Sequence, residues 1–322
     1  MGGAKALGVG SLSLLSPNFV FTQLFLLFLV PFFRSFIMRP VYVFASLSLV
    51  AAVSANADVI LSARDFNNLN LGNLSSDATG TAAGQDGWFT YTTAPSGVAN
   101  FQVVADPNAA NSNGTVAHNG GQVLQIQDGN TSSGNNVTRF AWNDDLHNAA
   151  NPANTSFEMK YDFYMGSTST TSTNRYGNYF YDASGTKILS GVTMQNNTGQ
   201  FYIVGSYNNA GTIGNYSFST GTSGILARNT WYSFKVTFDS VTGRFQGGFS
   251  NDGGVNYTMF FVDGAGAGIS VDEYDLIGSA NSGTAAQGAP LGFYDNITVT
   301  AAPAPGAIAL LGLAGLIGRR RR

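Results

Sequence analysis

Apolar and polar residues alternate with a period of two along much of the stretch between residues 58 and 300. At 157–165 (FEMKYDFYM), Phe157, Met159, Tyr161, Phe163 and Met165 share one face, and Glu158, Lys160 and Asp162 share the other. At 231–238 (WYSFKVTF), Tyr232, Phe234, Val236 and Phe238 oppose Trp231, Ser233, Lys235 and Thr237. Side chains on a strand point alternately to opposite faces, so both segments predict strands buried on one side. Shorter strands are predicted at 59–63, 88–91, 101–105, 122–127, 137–142, 176–181, 187–194, 200–205, 244–250, 257–262 and 291–299. The pairs Asp86-Gly87, Asn113-Gly114, Asp128-Gly129 and Asp252-Gly253 are turn signals between them. No stretch of twelve residues carries a helical period. Many short strands separated by turns predict an all-β fold, an antiparallel β-sandwich of the jelly-roll kind.

Both ends of the chain read differently from this middle. Met38-Arg39-Pro40, an apolar run over 41–53 and Ala55-Asn56-Ala57 have the basic start, apolar core and A-x-A site of a secretory signal peptide. Cleavage after Ala57 predicts a mature chain beginning at Asp58 and an exported protein. Residues 1–37 hold a second apolar block, 19–33, broken by Pro31 and closed by Arg34. Two readings of it stand: a misassigned start with Met38 as initiator, or an N-terminal membrane segment. At the other end, the uncharged run 307–318 leads directly into Arg319, Arg320, Arg321 and Arg322. As a helix it would rise only ~18 Å against a hydrocarbon core of roughly 30 Å. Terminal arginines resist translocation and stay on the cytoplasmic side. The expected organisation is an apolar extension (1–37), a signal peptide (38–57), one sandwich domain (58–300) and an apolar, arginine-ended tail (301–322).

Charge and composition narrow what the middle does. All eighteen acidic residues lie within 58–300 but only eight of the fifteen basic ones, a net charge of −10. That balance argues against a nucleic-acid partner, which needs a basic footprint. Only Glu158 and Glu273 among the acids are Glu; the rest are Asp, which favours tight turns. The chain has no Cys, which excludes disulfides, cysteine-based zinc sites and thiol nucleophiles.

Three short motifs and the tail carry resemblances. Gly84-Gln85-Asp86-Gly87-Trp88 follows the first strand, Asn229-Thr230-Trp231-Tyr232 opens another, and Asp295-Asn296-Ile297-Thr298-Val299 closes the domain. Together they resemble the concanavalin A-like lectin/glucanase and LamG-like jelly rolls of exported bacterial proteins. Pro303-Ala304-Pro305, the apolar run and the arginine cluster resemble the PEP-CTERM sorting signal, with Ala304 where that family usually has Glu. This second resemblance implies an exosortase-like membrane sorting enzyme as partner and a destination at the cell envelope, cell surface or extracellular matrix. An ordinary tail anchor or a fortuitous apolar end is the alternative.

Candidate chemistry follows from these. The glucanases that the domain resembles carry two Glu on one strand, a motif absent from a chain whose only two Glu lie far apart. Asp272-Glu273-Tyr274-Asp275 is the one acidic cluster, expected as a solvated or calcium-binding loop. His118 and His147 sit in Asn/Gly/Ala-rich stretches with no serine elbow nearby. A non-catalytic structural or glycan-adhering module is therefore expected, with a glycoside-active enzyme using Asp catalysts as the alternative. Sugar binding favours aromatic faces, and Tyr176, Tyr179, Tyr181 and Trp142 are the candidates for extracellular polysaccharide. In similar jelly rolls a structural ion ties the first strand to the last. That resemblance implies Ca²⁺ at Asp295, with Asp65 or Asn67 as partners, oxygen donors of the type Ca²⁺ takes.

Overall fold

The computed structural model describes residues 58–93, 97–107, 121–127, 138–143, 154–166, 172–279 and 291–303. Ala55, Ala57, Pro305, Arg319, Arg320, Arg321 and Arg322, and with them the signal and most of the tail, lie outside these residues, as do His118 and His147. The described chain is almost wholly extended. Its strands are β1 (Asp58–Arg64), β2 (Gly72–Asn73), β3 (Trp88–Thr92), β4 (Phe101–Ala105), β5 (Gln122–Gln127), β6 (Thr138–Asn143), β7 (Asn154–Gly166) and β8 (Arg175–Tyr181). They continue with β9 (Ile188–Gln195), β10 (Phe201–Asn209), β11 (Thr212–Ser219), β12 (Trp231–Asp239), β13 (Arg244–Ser250), β14 (Thr258–Asp263), β15 (Glu273–Ser279) and β16 (Leu291–Pro303). No described helix is long and apolar enough to cross a membrane.

These strands form two antiparallel sheets packed face to face, the sandwich expected from the alternation. The nine-stranded sheet runs β14-β13-β12-β7-β16-β5-β4-β2, with β1 paired to β16. The seven-stranded sheet runs β11-β10-β9-β8-β15-β6-β3. The core lies between them because one parity of each strand is apolar. Phe157, Met159, Tyr161 and Phe163 of β7 and Phe234, Val236 and Phe238 of β12 are all buried in it. Tyr176 and Phe180 of β8 and Val192 and Met194 of β9 face them from the other sheet. Trp88 is buried in this core, and Trp231 is buried in a smaller cluster with Val123, Tyr164 and Phe293.

Polar ties cross the sandwich where a side chain of one sheet meets backbone of the other. Ser190 Oγ on β9 donates to the Thr237 carbonyl on β12 at 2.9 Å. Tyr294 on β16 does more: its hydroxyl donates to the Ile277 carbonyl at 2.6 Å and accepts from the Gly177 amide at 3.0 Å. Gly177 and Ile277 are register partners on β8 and β15, so one hydroxyl closes a gap in the opposite ladder. Removing it leaves buried backbone groups short of a partner. Tyr294→Phe should therefore cost roughly 1–3 kcal/mol in urea unfolding. A midpoint unchanged from wild type would mean that water takes over the bond.

The turns explain why Asp so outnumbers Glu. In the β13–β14 connection, Asp252 Oδ1 accepts from the amides of Val255 (3.1 Å) and Asn256 (2.9 Å). The Asn256 amide, then the Ser250 hydroxyl, hold its carboxyl down at about 2. Asp77 accepts likewise from Thr81 and Ala82 before β3. A short side chain reaches its own loop amides, where Glu overshoots. Asp86 and Gly87, one of the expected turn pairs, both have positive φ, 49° and 76°.

Three strands were not evident in the sequence. β2 is two residues long. β11, Thr212–Ser219, alternates within a Gly/Ser/Thr-rich stretch and lies at the sheet edge. The third, β15, corrects the reading of the acidic cluster: Glu273, Tyr274 and Asp275 are not in a loop but open a strand inside the seven-stranded sheet.

Candidate functional site

The outer face of the seven-stranded sheet carries a band of aromatic side chains outside the main core, part of it packed around a small buried cluster of Tyr181, Ile188 and Val204. Register places them side by side. Along one row, Tyr91 (β3) opposes Phe140 (β6), Phe140 opposes Ile277 (β15), and Ile277 opposes Gly177 (β8). The row continues through Thr193 (β9) to Tyr202 (β10). In the next row Phe89 opposes Trp142, Asp275 opposes Tyr179, and Tyr179 opposes Gly191. Glu273 opposes Tyr181 in the row after that.

The rings contact one another. Phe89 stacks on Trp142 with centroids 5.6 Å apart and planes 8° from parallel. Tyr91 and Phe140 lie 6.0 Å apart, Phe140 meets Tyr181 edge-on at 6.2 Å, and Tyr181 meets Tyr179 at 6.0 Å. Gly191 lets the Tyr179 ring lie against the sheet, since a Cβ there would come 2.7 Å from Tyr179 Cδ1. Tyr91 is exposed, Phe89, Phe140, Trp142, Tyr179 and Tyr202 are half-buried, and Tyr181 is buried. From β3 to β10 the band crosses five inter-strand spacings, ~24 Å in all.

The expected tyrosine row thus needs a correction. Tyr179 and Tyr181 do lie together on the outer face with Trp142, but Tyr176 does not. Three residues separate Tyr176 from Tyr179, and an odd separation on a strand turns a side chain to the opposite face. Tyr176 is fully buried in the core, against two glycines where a Cβ would fall 3.0 Å (Gly278) and 2.6 Å (Gly292) from its ring.

Two carboxyl groups stand on β15 in the band. Glu273 and Asp275 are two residues apart on one strand, so they share the outer face, with Ile277 next along it. Asp275 is 3% exposed, and its Oδ1 has no hydrogen-bond partner. Burial, and then the Glu273 carboxyl beside it, to which it is hydrogen-bonded, hold Asp275 well above the usual carboxylate range. Burial, followed by the Asp275 charge, likewise raises the Tyr181 hydroxyl. At the edge of the band the Arg175 guanidinium lies over the Tyr202 ring, 3.8 Å from its centroid. The Tyr202 hydroxyl in turn donates to Gln195 Oε1 at 3.1 Å. Glu273, Asp275, Phe89, Tyr91, Phe140 and Tyr202 were not singled out from the sequence as site residues. The period-two spacing of Glu273, Asp275 and Ile277 is the signal that held the first two.

The residues considered for calcium lie elsewhere. Asp295 is a buried residue of β16 opposite Asp162 of β7, at an irregularity where Asn296 takes a φ of 50°. Asp162 accepts from Ser233 Oγ at 2.6 Å and from Asn296 Nδ2 at 2.8 Å. Asp65 Oδ1 accepts from the Asn67 amide at 3.3 Å, and Asn67 Oδ1 accepts from the Gln122 amide at 2.8 Å, tying the segment after β1 to β5. Asp65 also lines an open pocket of about 530 Å³ with Arg64, Gln85 and Asp86. Among the described residues no three His, Cys, Asp or Glu side chains gather where they could hold a metal. Pro303 ends β16, where it pairs with Asn154.

No protein-family model matches the chain, and no curated protein matches it in sequence. Several solved structures resemble it in part. The catalytic domain of a GH131 beta-glucanase from Podospora anserina superposes with a TM-score of 0.46 at 11% identity, over 75% of this chain and 95% of that one. An endo-beta-1,4-glucuronan lyase from the fungus Trichoderma reesei gives 0.44 at 13% identity, over 73% and 95%. Arcelin-5, a lectin-like defense protein from Phaseolus vulgaris, gives 0.39 at 9% identity, over 68% and 100%.

Proposed function

We propose that this is an exported, envelope-sorted protein whose sandwich domain adheres to polysaccharide through the outer face of its seven-stranded sheet, without catalysis. The observation that carries the reading is the aromatic band, Phe89, Tyr91, Phe140, Trp142, Tyr179, Tyr181 and Tyr202, with two carboxyls set among its rings. Flat apolar rings pack against the faces of sugar rings, while carboxyl and amide groups take the hydroxyls.

The carboxyl geometry favours binding over hydrolysis. Hydrolysis needs one carboxyl on each side of the scissile bond, with ~5–5.5 Å between them for retention or ~6.5–9.5 Å for inversion. Glu273 and Asp275 are instead hydrogen-bonded to each other, which leaves no gap between them for a sugar linkage, and the next outward residue of β15, Ile277, is apolar.

Purified exported protein should bind a polysaccharide in affinity electrophoresis and release no reducing ends from it. Trp142→Ala should weaken that binding about tenfold to a hundredfold, the equivalent of roughly 1.5–3 kcal/mol of lost apolar contact. Wild-type affinity in a folded Trp142→Ala variant would move the site off this face. Release of reducing ends would replace adhesion with catalysis.

Export and sorting rest on the two ends of the chain. Deleting Arg319 to Arg322 removes the charges that resist translocation. The truncated protein should keep its tail uncleaved or leave the cell surface, as read by mass spectrometry of cell fractions. The same cleavage state and location in both forms would make the tail incidental.

A further inference from the structure

The carboxyl pair in the aromatic band is costly as it stands. Asp275 is 97% buried by its 3% exposure, and one of its oxygens has no partner. Burying a polar group unpaired costs free energy, and two adjacent carboxylates cannot both ionise cheaply. Aromatic side chains lie on both sides: Phe89, Phe140 and Trp142 on β3 and β6, Tyr179 and Tyr181 on β8. Asp275 is buried, whereas Glu273, two residues before it on β15, is half-buried.

We propose that Glu273 and Asp275 form the polar centre of a subsite for uncharged polysaccharide, with Asp275 as a positioning residue that donates a hydrogen bond to Glu273, and Glu273 accepting from sugar hydroxyls. The proposal rests on the glycan-binding reading above and adds the class of glycan and the residues that select it. Uronate or sulfate groups would meet a carboxylate at the centre of the band. Arg175, in a neighbouring row of the same face, is stacked on Tyr202 and stands four residues along β8 from Tyr179, ~13 Å away.

The bond between the two side chains exists only while Asp275 keeps its proton. The groups facing it set when that proton leaves. On β15 they are Glu273 and, one residue earlier, Asp272, whose amide donates to the Tyr181 carbonyl. On β8 they are the Tyr179 and Tyr181 hydroxyls, with Arg175 further along and Asp182 in the turn that follows. From β6, Phe140 and Trp142 offer no titratable group. Apart from Arg175 further along β8, the surroundings are therefore aromatic or acidic. Once Asp275 ionises it repels Glu273, so grip on a neutral chain should weaken as pH rises.

The test measures affinity of the full exported protein for laminarin, xyloglucan, mannan and dextran, against polygalacturonate and chitosan, at pH 5.5 and pH 9. Wild type should bind at least one neutral polymer, about tenfold more weakly at the higher pH, and prefer it to polygalacturonate. Glu273→Gln should lower the affinity at both pH values. Asp275→Asn, whose amide donates at any pH, should keep the affinity found at pH 5.5 and lose the pH dependence. Near-UV circular dichroism shows that each variant is folded. In folded variants, a wild-type pH profile in Asp275→Asn, unchanged affinity in Glu273→Gln, or preference for polygalacturonate or chitosan each overturns the subsite and leaves glycan binding standing. Binding of none of the six polymers overturns glycan adhesion itself, and the subsite with it.

Discussion

Replacing Phe163 by alanine should lower the stability of the sandwich by about 3–5 kcal/mol, the cost of emptying a large buried aromatic site. Phe163 is fully buried. Its ring centroid lies 4.9 Å from Phe234 on β12 and 5.1 Å from Tyr294 on β16, with Tyr161 edge-on at 6.5 Å. The cavity would open between three strands of one sheet, beside the hydroxyl that ties that sheet to the other. Little collapse is available there, because backbone pairing holds β7 on both sides. Phe261, on edge strand β14 and 62% exposed, is the control. Phe261→Ala should stay within about 0.5 kcal/mol of wild type. Urea unfolding followed by fluorescence measures both, and equal losses at the two positions would contradict the assignment of the core.

Asp275→Asn should change how stability depends on pH. In the unfolded chain Asp275 releases its proton near pH ~4, whereas the folded environment holds it well above that. Below pH ~4 both states carry the proton and the group makes no difference. Above it the folded state binds more protons than the unfolded one. Wild-type stability should then fall with rising pH, by up to ~1.4 kcal/mol per pH unit, until the folded group also ionises. The Asn variant lacks that slope and should gain on wild type as pH rises. Asp252 has the opposite sign. Its carboxyl is held down at about 2, so its contribution is present above pH ~4 and lost as pH falls toward 2. Unfolding midpoints at several pH values between 4 and 8 decide the point. Parallel curves for wild type and Asp275→Asn would show that the pair does not hold a proton.

What could be read in advance depended on how much of a segment's neighbourhood is local. β7 and β12 were plain in the alternation, because each has one apolar parity over many residues. The turn at Asp86-Gly87 was legible because its conformation is set by those two residues. The aromatic site was only half legible. Ring chemistry marks Trp142, Tyr179 and Tyr181, which do share a face, but it marks Tyr176 as well, which strand parity turns to the core. In the sequence Glu273 and Asp275 read as an acidic loop, since three acids in four residues outweigh a short strand pattern. Only pairing with β8 and β6 makes that segment a sheet interior, and pairing partners more than ninety residues away leave no local trace. β11 was missed for a related reason: an edge strand need not be apolar.

The placement of β16 bears on how this domain responds to force. β16 is thirteen residues long, lies inside the nine-stranded sheet, and is paired along its length to β7 on one side and in succession to β5 and β1 on the other. It is also the strand that leads into the tail. In a protein tethered at that end, tension enters along the strand axis and loads the flanking hydrogen bonds together, in shear, rather than peeling them one by one from an edge. Forced unfolding is governed by the unfolding rate rather than the equilibrium stability. Drag on an adhered polymer would thus be borne by the sheet's interior, a mechanical strength that melting temperatures would not report and that a pulling experiment from residue 303 would.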